Sequence, residues 1–363
     1  MISVTIPSVN PDLPRVTPLV VPANADTLWP TSEWPRGSFP RQGELEALVS
    51  EIFADTTLGA TNAVVIIQHG EILAESYGGV REFFDRDPEP VTATSPLLSW
   101  SMAKSVLHFL IGTLIDEGRL DLGQRGVAPE WRDAGDPRAA ITLGDLLAMR
   151  DGLDFVEIYE VGQRSDVIEM LFGEGKGDVA GFAAARPLAK VPGTFFSYSS
   201  GTTNIISRLV ADTVGHGEAY QRFLAERLFT PLNMTSAEAT FDDTGVFIAS
   251  SYLHATALDF AKFGLLYLRG GEWEGRQLVS REWTLDAQVP LSRDEESGHY
   301  YSKQWWVSGD PYGTYWASGY EGQMISVVPA LDALILRFGH TPAEHYPALY
   351  AWRRRVLDLL ASP

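Results

Sequence analysis

The stretch SPLLSWSMAKSVLHFLIGTLIDEGRLDL, residues 95–122, carries the strongest structural signal in the chain. Apolar residues recur at helical spacing after Ser101, and this periodicity predicts an amphipathic helix that ends near Gly118. Ser101 stands at the start of that helix, and Lys104 follows it by one turn. Because residues three apart lie on one face of a helix, the Lys104 ammonium can reach back to the Ser101 hydroxyl.

This pair of residues has a chemical interpretation. A serine hydroxyl is a weak nucleophile that needs a base within hydrogen-bond distance, and a lysine whose charge is disfavoured by burial can be that base. Ser101-x-x-Lys104 is therefore the arrangement of a serine acyl-transfer enzyme, with the positive end of the helix dipole beside the serine. A capping serine and a lysine that extends along the surface would give the same pattern. Other motifs must therefore decide between the catalytic and the structural interpretation.

Composition excludes several classes of function. The 363 residues carry a net charge of −19, from 47 acidic and 28 basic side chains, which argues against nucleic acid or an anionic membrane as a partner. The chain has no cysteine, so disulfides, thiolate catalysis and cysteine metal sites are excluded. No dinucleotide, phosphate-loop or zinc-hydrolase motif is found, and we expect no cofactor and no metal. Without a leader or a long apolar run, we expect a cytoplasmic protein, with a homodimer left open.

Strand signals stand at the two ends of the chain and helical signals stand between them. Residues 62–79 read as a hairpin around His69-Gly70, and strand-like runs return at 303–309, 314–330 and 332–340. This order predicts an α+β fold in which an antiparallel sheet flanked by helices is built from both ends of the chain. We assign 41–95 and 290–363 to this α/β/α lobe, 96–289 to an inserted helical lobe, and the proline-rich residues 1–40 to an extended arm.

Two further stretches could serve a Ser-Lys enzyme. In PGTFFSYSSG (192–201), Tyr198 lies in a small-residue loop before a helix, where its phenol could complete a proton relay with Lys104. In ASGYEGQ (317–323), small residues let a substrate backbone approach, and an amide there could donate to an oxyanion beside the Ser101 N–H. Each stretch also has a purely structural interpretation, a tyrosine at the edge of the core and a bulged edge strand.

The chain contains a three-part pattern in fixed order: Ser101-x-x-Lys104, then Tyr198 in PGTFFSYSSG, then SGYEGQ. From about residue 60 to 340, the chain resembles the serine β-lactamase-like hydrolases: class C β-lactamases, D-Ala-D-Ala peptidases, family VIII carboxylesterases and 6-aminohexanoate-dimer hydrolases. The chain is most similar to the dimer hydrolases at three places: QWWVSG (304–309), Gly322-Gln323 and Tyr159 after DGLDF. The resemblance implies a β-lactamase/transpeptidase-like fold, with the site between its two lobes.

The resemblance also implies roles for individual residues. Ser101 would be the nucleophile, Lys104 its base partner, Tyr198 the proton relay, and the amides of Ser101 and Tyr320 the oxyanion hole. Tyr159 resembles a substrate-contacting tyrosine of the dimer hydrolases. We assign further substrate contacts to the strand segment Trp316, Ser318 and Gly319.

This sequence departs from the β-lactamase pattern at two positions. Ala317 stands where β-lactamases have a lysine or histidine, and Ser200 stands where an asparagine often follows the tyrosine. We therefore expect a carboxylesterase or amidase that acts on a small ester or amide. The alternatives are a β-lactamase or D,D-peptidase, and a catalytically silent binding module on the same fold.

Aromatic residues near the third motif give an expectation about the pocket. Trp305, Trp306, Trp316 and Tyr320 lie in or beside one predicted strand. If two of them face the cleft, the pocket is apolar and should prefer uncharged esters or amides to anionic β-lactams.

Overall fold

The computed structural model describes residues 2–3, 13–24, 27–81, 87–133, 135–160 and 162–362. Part of the predicted N-terminal arm therefore lies outside the described residues. Further along that segment, Trp34 is buried in the core, and Arg36 forms an isolated β-bridge with Ile72.

An eight-stranded antiparallel sheet organises the described chain. In chain order its strands are β1 (Ala60–Gln68), β2 (Glu71–Tyr77), β3 (Ser292–Arg293), β4 (Tyr300–Tyr301), β5 (Trp306–Val307), β6 (Tyr315–Gly319), β7 (Gln323–Val328) and β8 (Ala333–His340). Their order across the sheet is β3-β4-β5-β6-β7-β8-β1-β2, so both ends of the chain contribute strands, as the sequence predicts. His69 and Gly70 join β1 to β2 with φ angles of 55° and 81°, the left-handed geometry of a tight hairpin turn.

Small two- and three-residue strands complete the β structure. They pair Ile2–Ser3 with Leu19–Val20, Val80–Arg81 with Glu89–Pro90, Glu272–Trp273 with Arg276–Gln277, and Leu253–Ala255 with both Leu97–Leu98 and Glu238–Ala239.

Ten α-helices occur in the described residues. They are α1 (Gln42–Ala54), α2 (Ala103–Asp116), α3 (Leu143–Leu147), α4 (Asp166–Phe172), α5 (Val179–Ala184), α6 (Ser200–Val214), α7 (Glu218–Leu224), α8 (Ala257–Leu268), α9 (Arg281–Asp286) and α10 (Tyr346–Leu360). None of the helices in the described ranges is long and apolar enough to span a membrane. The helix predicted after Ser101 is confirmed as α2, and it is followed by Gly118 with φ 68°. Its predicted amphipathic character was wrong, because every residue from Ala103 to Leu114 is buried among the surrounding elements.

The helices form layers around the sheet. The helices α1 and α10 cover one face, in a core that includes Val64, Ile66 and Ile335, while α8 packs on strands β7, β8 and β1 from the other side. Around α6, the helices α2, α3, α4 and α5 form a helical group. These layers give the α+β, β-lactamase/transpeptidase-like architecture that the sequence predicts. Because α8 lies on the sheet although it falls within 96–289, we propose to count it with the α/β/α lobe.

Candidate active site

Ser101 lies in a strained turn immediately before α2. Trp100–Met102 form a single 3₁₀ turn, and Trp100 has a φ of 44°, a left-handed conformation that is uncommon for a bulky residue. The turn is held from the Ser99 backbone, whose N–H donates to the Leu253 carbonyl at 2.8 Å and whose carbonyl accepts from the Met102 N–H at 3.2 Å. The Ser101 side chain therefore projects from a fixed bend at the beginning of a buried helix.

Lys104 is buried against this serine. Its side chain is 1% exposed, and its Nζ lies 2.9 Å from Ser101 Oγ, which confirms the expected one-turn contact. Burial lowers the pKa of Lys104 to about 8, while the negative charge of Glu157 acts in the opposite direction. A drop from the usual lysine pKa of 10.5 raises the fraction of neutral amine at pH 7 about 300-fold. The lysine is thus prepared to accept a proton.

Tyr198 completes the predicted group. Its hydroxyl interacts with the Ser101 side chain, and Lys104 Nζ lies 4.8 Å from the centroid of its ring. Burial and the Glu157 charge hold the pKa of Tyr198 well above its usual value, so the phenol is neutral at pH 7. A neutral phenol in contact with the serine can donate a proton and pass one on.

Three groups that sequence reasoning missed surround the lysine. Lys104 Nζ also lies 3.0 Å from Ser200 Oγ and 3.1 Å from the Ser250 carbonyl oxygen. Ser200 in turn donates its hydroxyl to Glu157 Oε1 at 2.7 Å, and its N–H donates to Oε2 of the same carboxylate. Asn204, one turn after Ser200 on α6, holds the Ser250 backbone by accepting its N–H at 3.2 Å. The only sequence signal for Glu157 was its position two residues before Tyr159.

A cavity of about 170 Å³ opens at Ser101. Apart from Ser101 and Ser251, its walls are apolar or aromatic: Trp100, Tyr159, Ile168, Leu171, Phe172 and Tyr320. The rings of Tyr159 and Tyr320 lie 4.7 Å apart at an interplanar angle of 35°, and the two residues are 42% and 37% exposed, so both lie at its entrance. Among the described residues, those that line it include no charged side chain. Tyr159 is therefore brought to the site, as predicted.

The third motif reaches the turn that carries the serine through Gly319 and Tyr320. A Cβ on Gly319 would lie 2.4 Å from the Ser99 carbonyl oxygen, so only glycine lets β6 approach the turn that carries Ser101. Tyr320 follows immediately, with its ring 5.7 Å from that of Trp100. The oxyanion role of the Tyr320 amide stays a prediction.

Trp316 and Ser318 are placed differently from the prediction. Side chains alternate along a strand, and these two lie on the α10 side of β6. Trp316 is 1% exposed and packs against Tyr350 and the Arg353 guanidinium, while Ser318 interacts with the Tyr350 side chain. Neither lines the cavity at Ser101. The substrate contact assigned to Trp316 and Ser318 therefore has no support from this cavity and stays a prediction, because the sequence pattern does not reveal which face of β6 fronts the serine.

Of the four aromatic residues near the third motif, Tyr320 lines the cavity at Ser101, whereas Trp306 pairs with Trp316 and lies outside that lining. Trp306 also lies against the Tyr198 ring at 5.5 Å. Trp305, by contrast, is fully buried between Phe263 and Tyr267. The expectation that two of these aromatic residues face the cleft stays a prediction, and the apolar character of the cavity rests on its own lining.

Known proteins share this architecture. Residues 53–358 match the Beta-lactamase family. A 6-aminohexanoate-dimer hydrolase from Paenarthrobacter ureafaciens is 28% identical over 300 residues, which cover 78% of this chain and 73% of that protein.

Two solved structures show the same fold. A family VIII carboxylesterase superposes with a TM-score of 0.66 at 15% identity, covering 87% of this chain and 98% of that one. A penicillin-binding protein from Bacillus halodurans superposes with a TM-score of 0.65 at 16% identity, covering 85% and 99%. The family match spans most of the chain, including Ser101, Lys104 and Tyr198. This protein therefore belongs to the β-lactamase family.

Proposed function

We propose that this chain is a serine hydrolase that cleaves a carboxylic ester or amide through an acyl-enzyme on Ser101. The observation that carries this proposal is the 2.9 Å contact between Ser101 Oγ and the buried Lys104 Nζ, with the neutral Tyr198 phenol on the same serine. A silent binding module has no need of a desolvated lysine against a serine. The intact set therefore favours an enzyme over that alternative.

The proposed reaction has two halves. As Ser101 Oγ bonds to the substrate carbonyl carbon, its proton passes to neutral Lys104. Tyr198 then relays a proton to the leaving nitrogen or oxygen as its bond to the carbonyl carbon breaks, which leaves the acyl group on Ser101. In the second half, a water molecule gives a proton to the same relay as its oxygen bonds to the acyl carbon. The bond from that carbon to Ser101 Oγ then breaks, the relay returns the proton to Oγ, and the acid is released.

The substrate class follows from the walls of the cavity. The lining holds apolar and aromatic side chains without a cation, and Ala317 is buried where β-lactamases have a basic residue. An anionic substrate would lack a charge-assisted hydrogen bond worth about 1.5–3 kcal/mol, or roughly 10- to 150-fold in selectivity. The similar proteins include an aminohexanoate-dimer hydrolase and a carboxylesterase, which supports amides and esters as the substrates.

A substrate comparison tests this proposal. We expect a higher kcat/KM for p-nitrophenyl butyrate than for a chromogenic cephalosporin, with both activities absent from a Ser101→Ala variant. An enzyme that favours the cephalosporin would restore the β-lactamase alternative. Turnover that survives in Ser101→Ala would remove Ser101 from the mechanism.

A further inference from the structure

The hydrogen bonds around Lys104 raise a question of direction. Its Nζ has three neighbours: Ser101 Oγ at 2.9 Å, Ser200 Oγ at 3.0 Å and the Ser250 carbonyl oxygen at 3.1 Å. A protonated lysine donates to all three, but a neutral lysine has two N–H groups and one lone pair. The lysine can act as a base only if the lone pair points to Ser101. Some feature of the site must therefore fix the other two directions.

One direction is fixed by the backbone and the other by Glu157. The Ser250 carbonyl can only accept, so an N–H must face it. The Ser200 hydroxyl could donate or accept, but its single proton already goes to Glu157 Oε1 at 2.7 Å. Ser200 Oγ must then accept from Lys104 as well. Both N–H groups of the neutral amine are thereby committed, and only the direction of Ser101 remains for the lone pair.

We propose that Glu157 is a positioning residue that, through the Ser200 hydroxyl, turns the lone pair of neutral Lys104 towards Ser101. This inference rests on the proposed function. The carboxylate suits the role because every group bonded to it donates: the Ser200 hydroxyl, the Ser200 N–H, and the Tyr159 hydroxyl at 2.9 Å. Three donors hold an ionised carboxylate, which can only accept. Glu157 therefore also joins the lysine to Tyr159 at the mouth of the cavity.

The charge of Glu157 gives the role a second consequence. Hydrogen bonds of 3.0 and 2.7 Å join Lys104 Nζ through Ser200 to the carboxylate, so the two charges lie about 6 Å apart at most. Glu157 is the group whose charge opposes the effect of burial on the pKa of Lys104. Removing that charge should lower the lysine pKa further, by about one to two pH units at an effective dielectric constant of about 20–40.

Other titratable groups near the lysine do not supply this charge. Tyr198 and Tyr301 are buried phenols whose pKa is raised, and His108, one turn along α2, is buried with its pKa well below the usual value, so all three are neutral at pH 7. Asp151 does not supply this charge either. It faces α6, where it accepts hydrogen bonds from Thr202 and the Leu153 N–H.

The test is the pH profile of kcat/KM for p-nitrophenyl butyrate in a Glu157→Gln variant. We expect kcat to fall about 10-fold or more, and the acidic limb to move to lower pH by about one unit or more, because the lysine becomes easier to deprotonate. Glu157→Asp keeps the charge and should keep the limb near its wild-type position. Glu160→Gln removes an exposed carboxylate from the same loop and should change neither quantity. A merely structural role for Glu157 would lower activity without moving the limb.

The outcomes separate this inference from the proposed function. If an organophosphonate does not add to Ser101 of the wild-type protein, the proposed function fails. If it adds, and Glu157→Gln is active with an unmoved acidic limb, only the role of Glu157 is overturned. Should Glu157→Gln not fold, Ser200→Ala removes the hydroxyl that transmits the effect and should lower kcat about 10-fold or more. A Ser200→Ala enzyme with wild-type kcat would equally contradict the inference.

Discussion

Removal of a single hydroxyl, in Tyr198→Phe, separates proton relay from all other contributions to the proposed reaction. The ring should keep its place, because it lies 5.5 Å from Trp306, 5.8 Å from Tyr301 and 4.8 Å from Lys104 Nζ. The lost interaction with Ser101 should cost only about 0.5–1.5 kcal/mol of unfolding free energy. The variant protein is therefore expected to fold, with its cavity unchanged.

The effect on rate should depend on the leaving group. An alkylamine cannot leave without a proton, so kcat for an amide such as N-butylbutanamide should fall about 10²- to 10⁴-fold, which corresponds to roughly 3–5 kcal/mol of barrier. p-Nitrophenolate leaves unprotonated, so kcat for p-nitrophenyl butyrate should fall much less. KM should change little for either substrate, since the phenol acts mainly in proton transfer.

The assay compares amine release and p-nitrophenol release by the same enzyme preparation. Tyr252→Phe is a matched control, because Tyr252 lies beside Trp100, with its ring 6.1 Å away, and outside the proposed relay. A Tyr198→Phe enzyme with wild-type kcat on the amide would refute the role given to Tyr198. Equal losses on both substrates would show instead that the hydroxyl acts before the leaving group departs.

Two further predictions concern the base and the strand beside it. Burial lowers the pKa of Lys104 to about 8, and only the neutral amine can accept a proton. Wild-type kcat/KM should therefore rise with pH through about 8. A kcat/KM already at its plateau at pH 6 would contradict the assignment of Lys104 as the base. Gly319→Ala should lower kcat/KM at least about 10-fold, because its Cβ would push the Ser99 carbonyl that supports the Ser101 turn. Gly43→Ala on α1, which has open space around it, is the control and should have no effect. Thermal melts and kinetics of both variants would check this, and an unaltered Gly319→Ala enzyme would show that the approach of β6 is not needed.

Local sequence patterns were sufficient for much of this site. The period of α2 places Lys104 one turn from Ser101, and both residues lie in one short segment, so no tertiary information is needed to bring them together. The hairpin at His69-Gly70 is likewise local, since its turn geometry depends on those two residues. Tyr198 was identified because its motif follows the Ser-Lys pair in a fixed order.

The rest of the lysine's surroundings depends on contacts that have no local pattern. Ser250 is 146 residues from Lys104, and Glu157 is 43 residues from Ser200. A backbone carbonyl leaves no signal in the side-chain sequence at all. Trp316 illustrates a different limit: alternation along β6 separates Trp316 from Ala317, but the face that meets the serine is set by how the sheet packs against α2 and α10.

The central claim is that Ser101 is a nucleophile activated by Lys104. The most direct measurement is the reaction of the protein with an organophosphonate, followed by intact mass and peptide mapping. We expect one adduct per chain, on the Ser101 side chain, formed faster as the pH rises through about 8 and absent from Ser101→Ala. An adduct on another residue, or no adduct on the wild-type protein, would contradict it.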